Sequence, residues 1–81
     1  MNAVYIEESG CIEEGGERFP VLDRFAYETG ELLLFERAGH MESLHLENGC
    51  LSVPDAKARQ AVVRHMMNPF PDLEDALFSM R

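Results

Sequence analysis

Up to Val53 the apolar residues recur mainly at every second position, and beyond it they recur at helical spacing. The clearest alternation flanks Asn48-Gly49, where Ser43-Leu44-His45-Leu46-Glu47 faces Cys50-Leu51-Ser52-Val53. Asn tolerates positive φ and Gly takes it without steric cost, so the pair predicts a two-residue type I′ hairpin turn. That turn pairs Glu47 with Cys50, Leu46 with Leu51, His45 with Ser52 and Leu44 with Val53. Leu44, Leu46, Leu51 and Val53 then share one face, and His45, Glu47, Cys50 and Ser52 the other. A one-residue slip would mix the two sets, so turn and pattern select the same register.

Ser52-Val53-Pro54-Asp55 reads as a helix start, with Ser52 as the cap, Pro54 in the first turn and Asp55 at the positive helix end. The helix is expected to continue to Met67. Ala58, Val62 and Met66 recur at i, i+4 and i+8, with Ala61 and His65 beside them, while Lys57, Gln60 and Arg64 fall on another side. Asn68 is the expected C-terminal cap and Pro69 stops propagation. The apolar stripe is expected to pack on the Leu44/Leu46/Leu51/Val53 face of the hairpin.

Earlier in the chain, Ala3-Val4-Tyr5-Ile6-Glu7 is rich in β-branched and aromatic residues and predicts a first strand. Ser9-Gly10 turns it, and Cys11-Ile12-Glu13 pairs back. Glu13-Glu14-Gly15-Gly16-Glu17 reads as a loose, mobile acidic loop. Between Arg18 and Glu28, the residues Phe19, Val21, Phe25 and Tyr27 share one parity, which Asp23 alone interrupts; Pro20 marks an edge strand or an irregular lead-in. After a Thr29-Gly30 turn, the run Leu32-Leu33-Leu34-Phe35 predicts a central strand, either covered on both faces or partly buried at an interface. Ala38-Gly39-His40 leads into the hairpin. Beyond the main helix, Asn68-Pro69-Phe70-Pro71 forms an elbow and Asp72 to Met80 a short final helix. The expected fold is α+β: an antiparallel meander sheet of four to five strands, then one main C-terminal helix and a short terminal helix packed on one face.

An 81-residue chain makes one small globular domain, residues 1–81, and its 46% hydrophobic content is that of a folded protein. No apolar run reaches membrane-spanning length and no leader pattern opens the chain, which gives a cytoplasmic protein as the expectation. Fifteen acids against seven bases leave a net charge of −8, which excludes direct nucleic-acid and anionic-membrane binding as first readings. Residues 1–36 hold nine of those acids and two of the bases, so an acidic side and a nearly balanced side are expected. Cys11 and Cys50 each follow a turn glycine and are read as reduced thiols.

Candidate chemistry is sparse. His40, His45 and His65, with Cys50, show none of the close pairs that zinc sites use, so no metal or cofactor is expected. Cys50 and His45 share a hairpin face, yet no third group or donor pair accompanies them as nucleophilic catalysis requires. The carboxylate pairs Glu7/Glu8, Glu13/Glu14 and Glu74/Asp75 are neighbours in sequence, and neighbours point apart in strands and helices.

The reading that remains is a non-enzymatic protein-binding module: an inhibitor or adaptor for a basic protein or nucleoprotein. Its expected contact residues are Glu7, Glu8, Glu13, Glu14, Glu17 and Glu28, with Tyr5 and Tyr27 as anchors. In size and charge alone it compares with phage-encoded anti-defence proteins, anti-CRISPR proteins included. Two alternatives stand beside it: a homo-oligomeric structural or regulatory protein, such as a homodimer, that buries surplus apolar surface, and a minimal enzyme or metal protein built on His45, Cys50 and His65.

Overall fold

The computed structural model describes residues 2–67. Six strands follow one another: β1 (Ala3–Ile6), β2 (Cys11–Glu14), β3 (Glu17–Tyr27), β4 (Gly30–Arg37), β5 (His40–Glu47) and β6 (Cys50–Ser52). One helix, α1 (Ala56–Met67), comes after them. Each strand pairs antiparallel with the next, and β1 approaches β6, so the meander curls into a nearly closed barrel. The expected α+β meander is present, with six strands where four to five were expected.

The Asn48-Gly49 hairpin has the expected pairing of His45 with Ser52, Leu46 with Leu51 and Glu47 with Cys50. Asn48 and Gly49 sit at φ 52° and 77°, as a type I′ turn requires. Leu44 pairs only toward β4, because β6 ends at Ser52, and Val53 is exposed.

Gly15-Gly16 departs from expectation. It is a tight hairpin turn joining Glu14 to Glu17, with both glycines at positive φ, and not a loose loop. Two glycines match the backbone twist of a two-residue hairpin, which outweighs the repulsion of three nearby carboxylates. The next turn lies at Glu28-Thr29 and leaves Gly30 inside β4. A Cβ at Gly30 would overlap the Leu46 carbonyl oxygen and lie 3.1 Å from its carbon, so the close approach of β5 fixes this glycine.

β3 carries the topology. Its first part, Glu17–Pro20, pairs with β2, and its second part pairs with β4 from Val21 onward. Pro20 therefore sits where β4 pairing has not begun, which accommodates its missing N–H. At the handover Val21 faces Phe35 and Asp23 faces Leu34, which leaves Leu22 as a bulge. Phe19 and Val21 point into the barrel, whereas Phe25 and Tyr27 pack on its outside. The shared parity of these four residues suggested one face; the bulge splits them between two.

Two cores result, one on each side of β4. Ala3, Ile12, Leu33, Phe35 and Leu44 fill the barrel, with Phe19, Val21, Leu46 and Leu51 around them. Leu32 and Leu34 face outward and are covered by Ala58 and Val62 of α1, with Phe25, Tyr27 and Ala61. The helix therefore lies on the outer face, not on the Leu44/Leu46/Leu51/Val53 face. Curling the sheet already buries that inner face, and the outer Leu32/Leu34 pair is what remains to be covered.

Of the expected apolar stripe, Ala58 and Val62 are buried, Ala61 and His65 half-buried, and Met66 exposed. The cap also differs from expectation. The Ala58 N–H donates to Asp55 Oδ1 at 2.8 Å, and Arg59 N–H donates to the Asp55 carbonyl at 2.9 Å, so Asp55 and not Ser52 is the N-cap. Asn68, the elbow and the expected short terminal helix lie outside the described residues.

Candidate functional site

A meander sends alternate turns to opposite ends of the barrel, and the charged residues go with them. At one end, Tyr5, Glu7, Arg24, Glu31, Leu46 and Gly49 line a cavity of about 250 Å3. Arg24 closes it through a two-pronged ion pair with Glu31 and a 2.6 Å hydrogen bond donated to the Tyr5 hydroxyl, and its guanidinium also lies over the Tyr5 ring. This guanidinium holds the Glu31 carboxyl below its ordinary range, and Glu31 in turn raises Arg24. The Glu28-Thr29 turn adjoins this end. There Lys57 Nζ lies 3.3 Å from Glu28 and is raised by it, and Thr29 Oγ1 donates to Glu47 at 2.8 Å.

At the other end Arg37 is the centre. It pairs with Glu14 at 2.6 Å and Glu42 at 3.5 Å, and its guanidinium lies 4.6 Å from the Phe19 ring centroid. Glu13 pairs outward with Arg18 at 3.1 Å. Each barrel mouth thus carries one arginine set against an aromatic ring, Arg24 held by one carboxylate and Arg37 by two.

The expected contact residues divide accordingly. Glu7, Glu8, Glu28, Tyr5 and Tyr27 belong to one end of the barrel; Glu13, Glu14 and Glu17 belong to the other. Glu13, Glu14 and Glu28 already hold a cation, while Glu7, Glu8 and Glu17 have none among the described residues. Tyr5 and Tyr27 are half-buried. Tyr27 lies in the seam between sheet and helix, where its ring meets His45 edge-on at 5.6 Å. Desolvation there pushes its phenol upward, with Glu28 and Asp55 adding to the shift. The single acidic side expected from sequence becomes two acidic ends, because residues adjacent in sequence but in successive turns are folded apart.

The histidines do not converge. His45 is mostly enclosed near Tyr27, His65 stacks on Phe25, and His40 starts β5 on the surface. Among the described residues no group of three His, Cys, Asp or Glu side chains could hold a metal ion. Cys11 and Cys50 are free thiols.

One element of the surface was not visible in the sequence. The Val21 N–H donates to the Gly10 carbonyl at 2.9 Å, which ties the β3 bulge to the turn between β1 and β2. Leu22, the bulge residue, is exposed and follows Val21, the residue tied to Gly10 at the end of the turn that carries Glu7 and Glu8. The one advance signal was the polar Asp23 breaking the β3 alternation. Compared with known proteins, the chain matches no family model, no curated protein and no solved structure.

Proposed function

We propose that this protein is a small acidic interaction module, an inhibitor or adaptor that occludes a basic surface on a partner protein or nucleoprotein. The observation that carries the reading is the Val21–Gly10 backbone bond, which ties the turn bearing Glu7 and Glu8, exposed and without a cation among the described residues, to the strand bulge that exposes Leu22. Carboxylates steer the encounter with a basic surface, and an apolar side chain next to them supplies contact that survives salt. Glu28 and Glu47 extend the negative field at the same end, with Lys57 a partial offset. Glu13, Glu14 and Glu17 form a second, separate acidic end, so one flat partner surface contacts either set and not both.

The test is an affinity capture from source lysate with the full chain, at low and at high salt, read by mass spectrometry. The reading expects one basic protein or nucleoprotein, retained at low salt and weakened at high salt. It also expects that capture to be lost with Glu7→Lys/Glu8→Lys and reduced with Leu22→Ser. Capture that ignores these substitutions refutes the assignment of this end. Absence of any specific partner at either salt refutes the binding-module reading.

A further inference from the structure

The solvent side of α1 has a chemistry found nowhere else on the described surface. Val63, Met66 and Met67 project from it at 55%, 51% and 80% exposure, and Met41 of β5 joins them at 46%. A groove of about 250 Å3 runs between Met41, Glu42 and Ser43 on the strand and Arg59, Val62, Val63 and Met66 on the helix; the Glu42 carboxylate is already held by Arg37. Arg59 and Arg64 stand on the same helix. The other described cations, Arg18, Arg24, Arg37 and Lys57, each hold a carboxylate. Arg59 donates only to the Pro54 carbonyl, at 3.2 Å, and Arg64 pairs with no carboxylate among the described residues. In a chain of net charge −8, the uncommitted positive charge of the described residues therefore lies on its most apolar face. An occupant that satisfies this face is apolar and acidic together.

We propose that the occupant is this chain's own C-terminal segment, within residues 69–80. These residues lie outside the described part of the chain. Phe70, Leu73, Leu77 and Phe78 supply apolar side chains, and Asp72, Glu74 and Asp75 supply charge opposite to that of the helix. The segment is joined through Asn68 to Met67, the residue after Met66 of the groove. Arg59 lies eight residues back along the helix, about 12 Å at 1.5 Å per residue. A chain of fourteen residues, at roughly 3.3 Å each when extended, covers that distance with length to turn back. Tethering at this range gives an effective concentration of about millimolar, enough for a small apolar contact to be occupied.

The experiment uses the full chain and nuclear Overhauser contacts from the methyl groups of Met41, Val63 and Met66. Contacts to the Phe70 or Phe78 ring are expected, unchanged on dilution, and absent in Arg59→Glu/Arg64→Glu while the barrel resonances keep their positions. Peroxide oxidation of Met66 should run roughly tenfold faster in Leu73→Asp/Leu77→Asp than in the unsubstituted chain, as an uncovered thioether reacts more readily. Contacts that appear only between differently labelled chains would assign the face to a second copy and overturn the proposal. An absence of contacts, with Met66 oxidation equal in both chains, would overturn it as well.

Discussion

His65 Nε2 lies 2.8 Å from Asp23 Oδ2 while its ring stacks on Phe25 at a centroid distance of 4.1 Å. These two contacts join the last turn of α1 to the strand segment just past the β3 bulge. The bulge puts Asp23 on the outer face, where the helix can reach it, so a backbone irregularity and a helix-docking contact are one device.

The first prediction follows from the Asp23 carboxyl, which the His65 hydrogen bond holds below its ordinary value of 3.8. A carboxyl with a lowered folded-state pKa stabilises the fold above the unfolded value and loses that contribution as pH falls through the folded one. Asp23 is half-exposed, so the effect is modest. Asp23→Asn should cost about 0.5 kcal/mol at pH 6, the scale of an exposed ion pair. The difference between the two proteins should vanish at pH values well below 3.8, where both side chains are uncharged. Thermal unfolding of both across pH 2 to 7 measures it.

Asp55, not Ser52, caps the helix. Asp55→Ala should therefore destabilise the protein by about 1 kcal/mol, the usual loss for an N-cap carboxylate, and Ser52→Ala by under about 0.5 kcal/mol. Urea unfolding of the two variants separates them. Equal losses would mean that the cap is shared.

Gly30→Ala should be among the most damaging single changes despite adding one methyl group. Its Cβ would overlap backbone of β5, which cannot rotate away as a side chain can. A loss of roughly 3 kcal/mol or more is expected, at the upper end of overpacking costs, with exchange protection falling first along the β4–β5 ladder. Hydrogen exchange of the Leu32 and Leu46 amides is the direct readout.

Phe35 is fully buried in the barrel, and Arg37 rests near its ring at 5.5 Å. Phe35→Ala should cost about 3–5 kcal/mol, enough to unfold much of a small domain. Val63→Ala, on the outer side of α1, should cost about 1 kcal/mol in the otherwise unsubstituted chain, where the C-terminal segment covers it, and under about 0.5 kcal/mol in the Leu73→Asp/Leu77→Asp background. Calorimetry on both variants, set beside Leu73→Asp/Leu77→Asp, links this contrast to the coverage of the helix face.

Local chemistry alone determined the strands and the turn at Asn48-Gly49, down to the pairing of His45 with Ser52, because a two-residue turn fixes the register of whatever flanks it. It determined that a helix runs through Ala56–Met67, with its start placed too early at Ser52, and the double burial of Leu32 to Phe35, since an unbroken apolar run in a strand must be covered on both sides. Three matters were left to the tertiary structure. The Leu22 bulge arises where β3 changes partners; Asp23 interrupting the alternation marked the place, but no local pattern specifies the change of partner. The helix took the outer face because closing the barrel had already buried Leu44, Leu46 and Leu51, a competition that exists only once the sheet curls. The acidic residues divided between two barrel ends because an antiparallel meander reverses direction at every turn, so charges close in sequence are carried a strand's length apart.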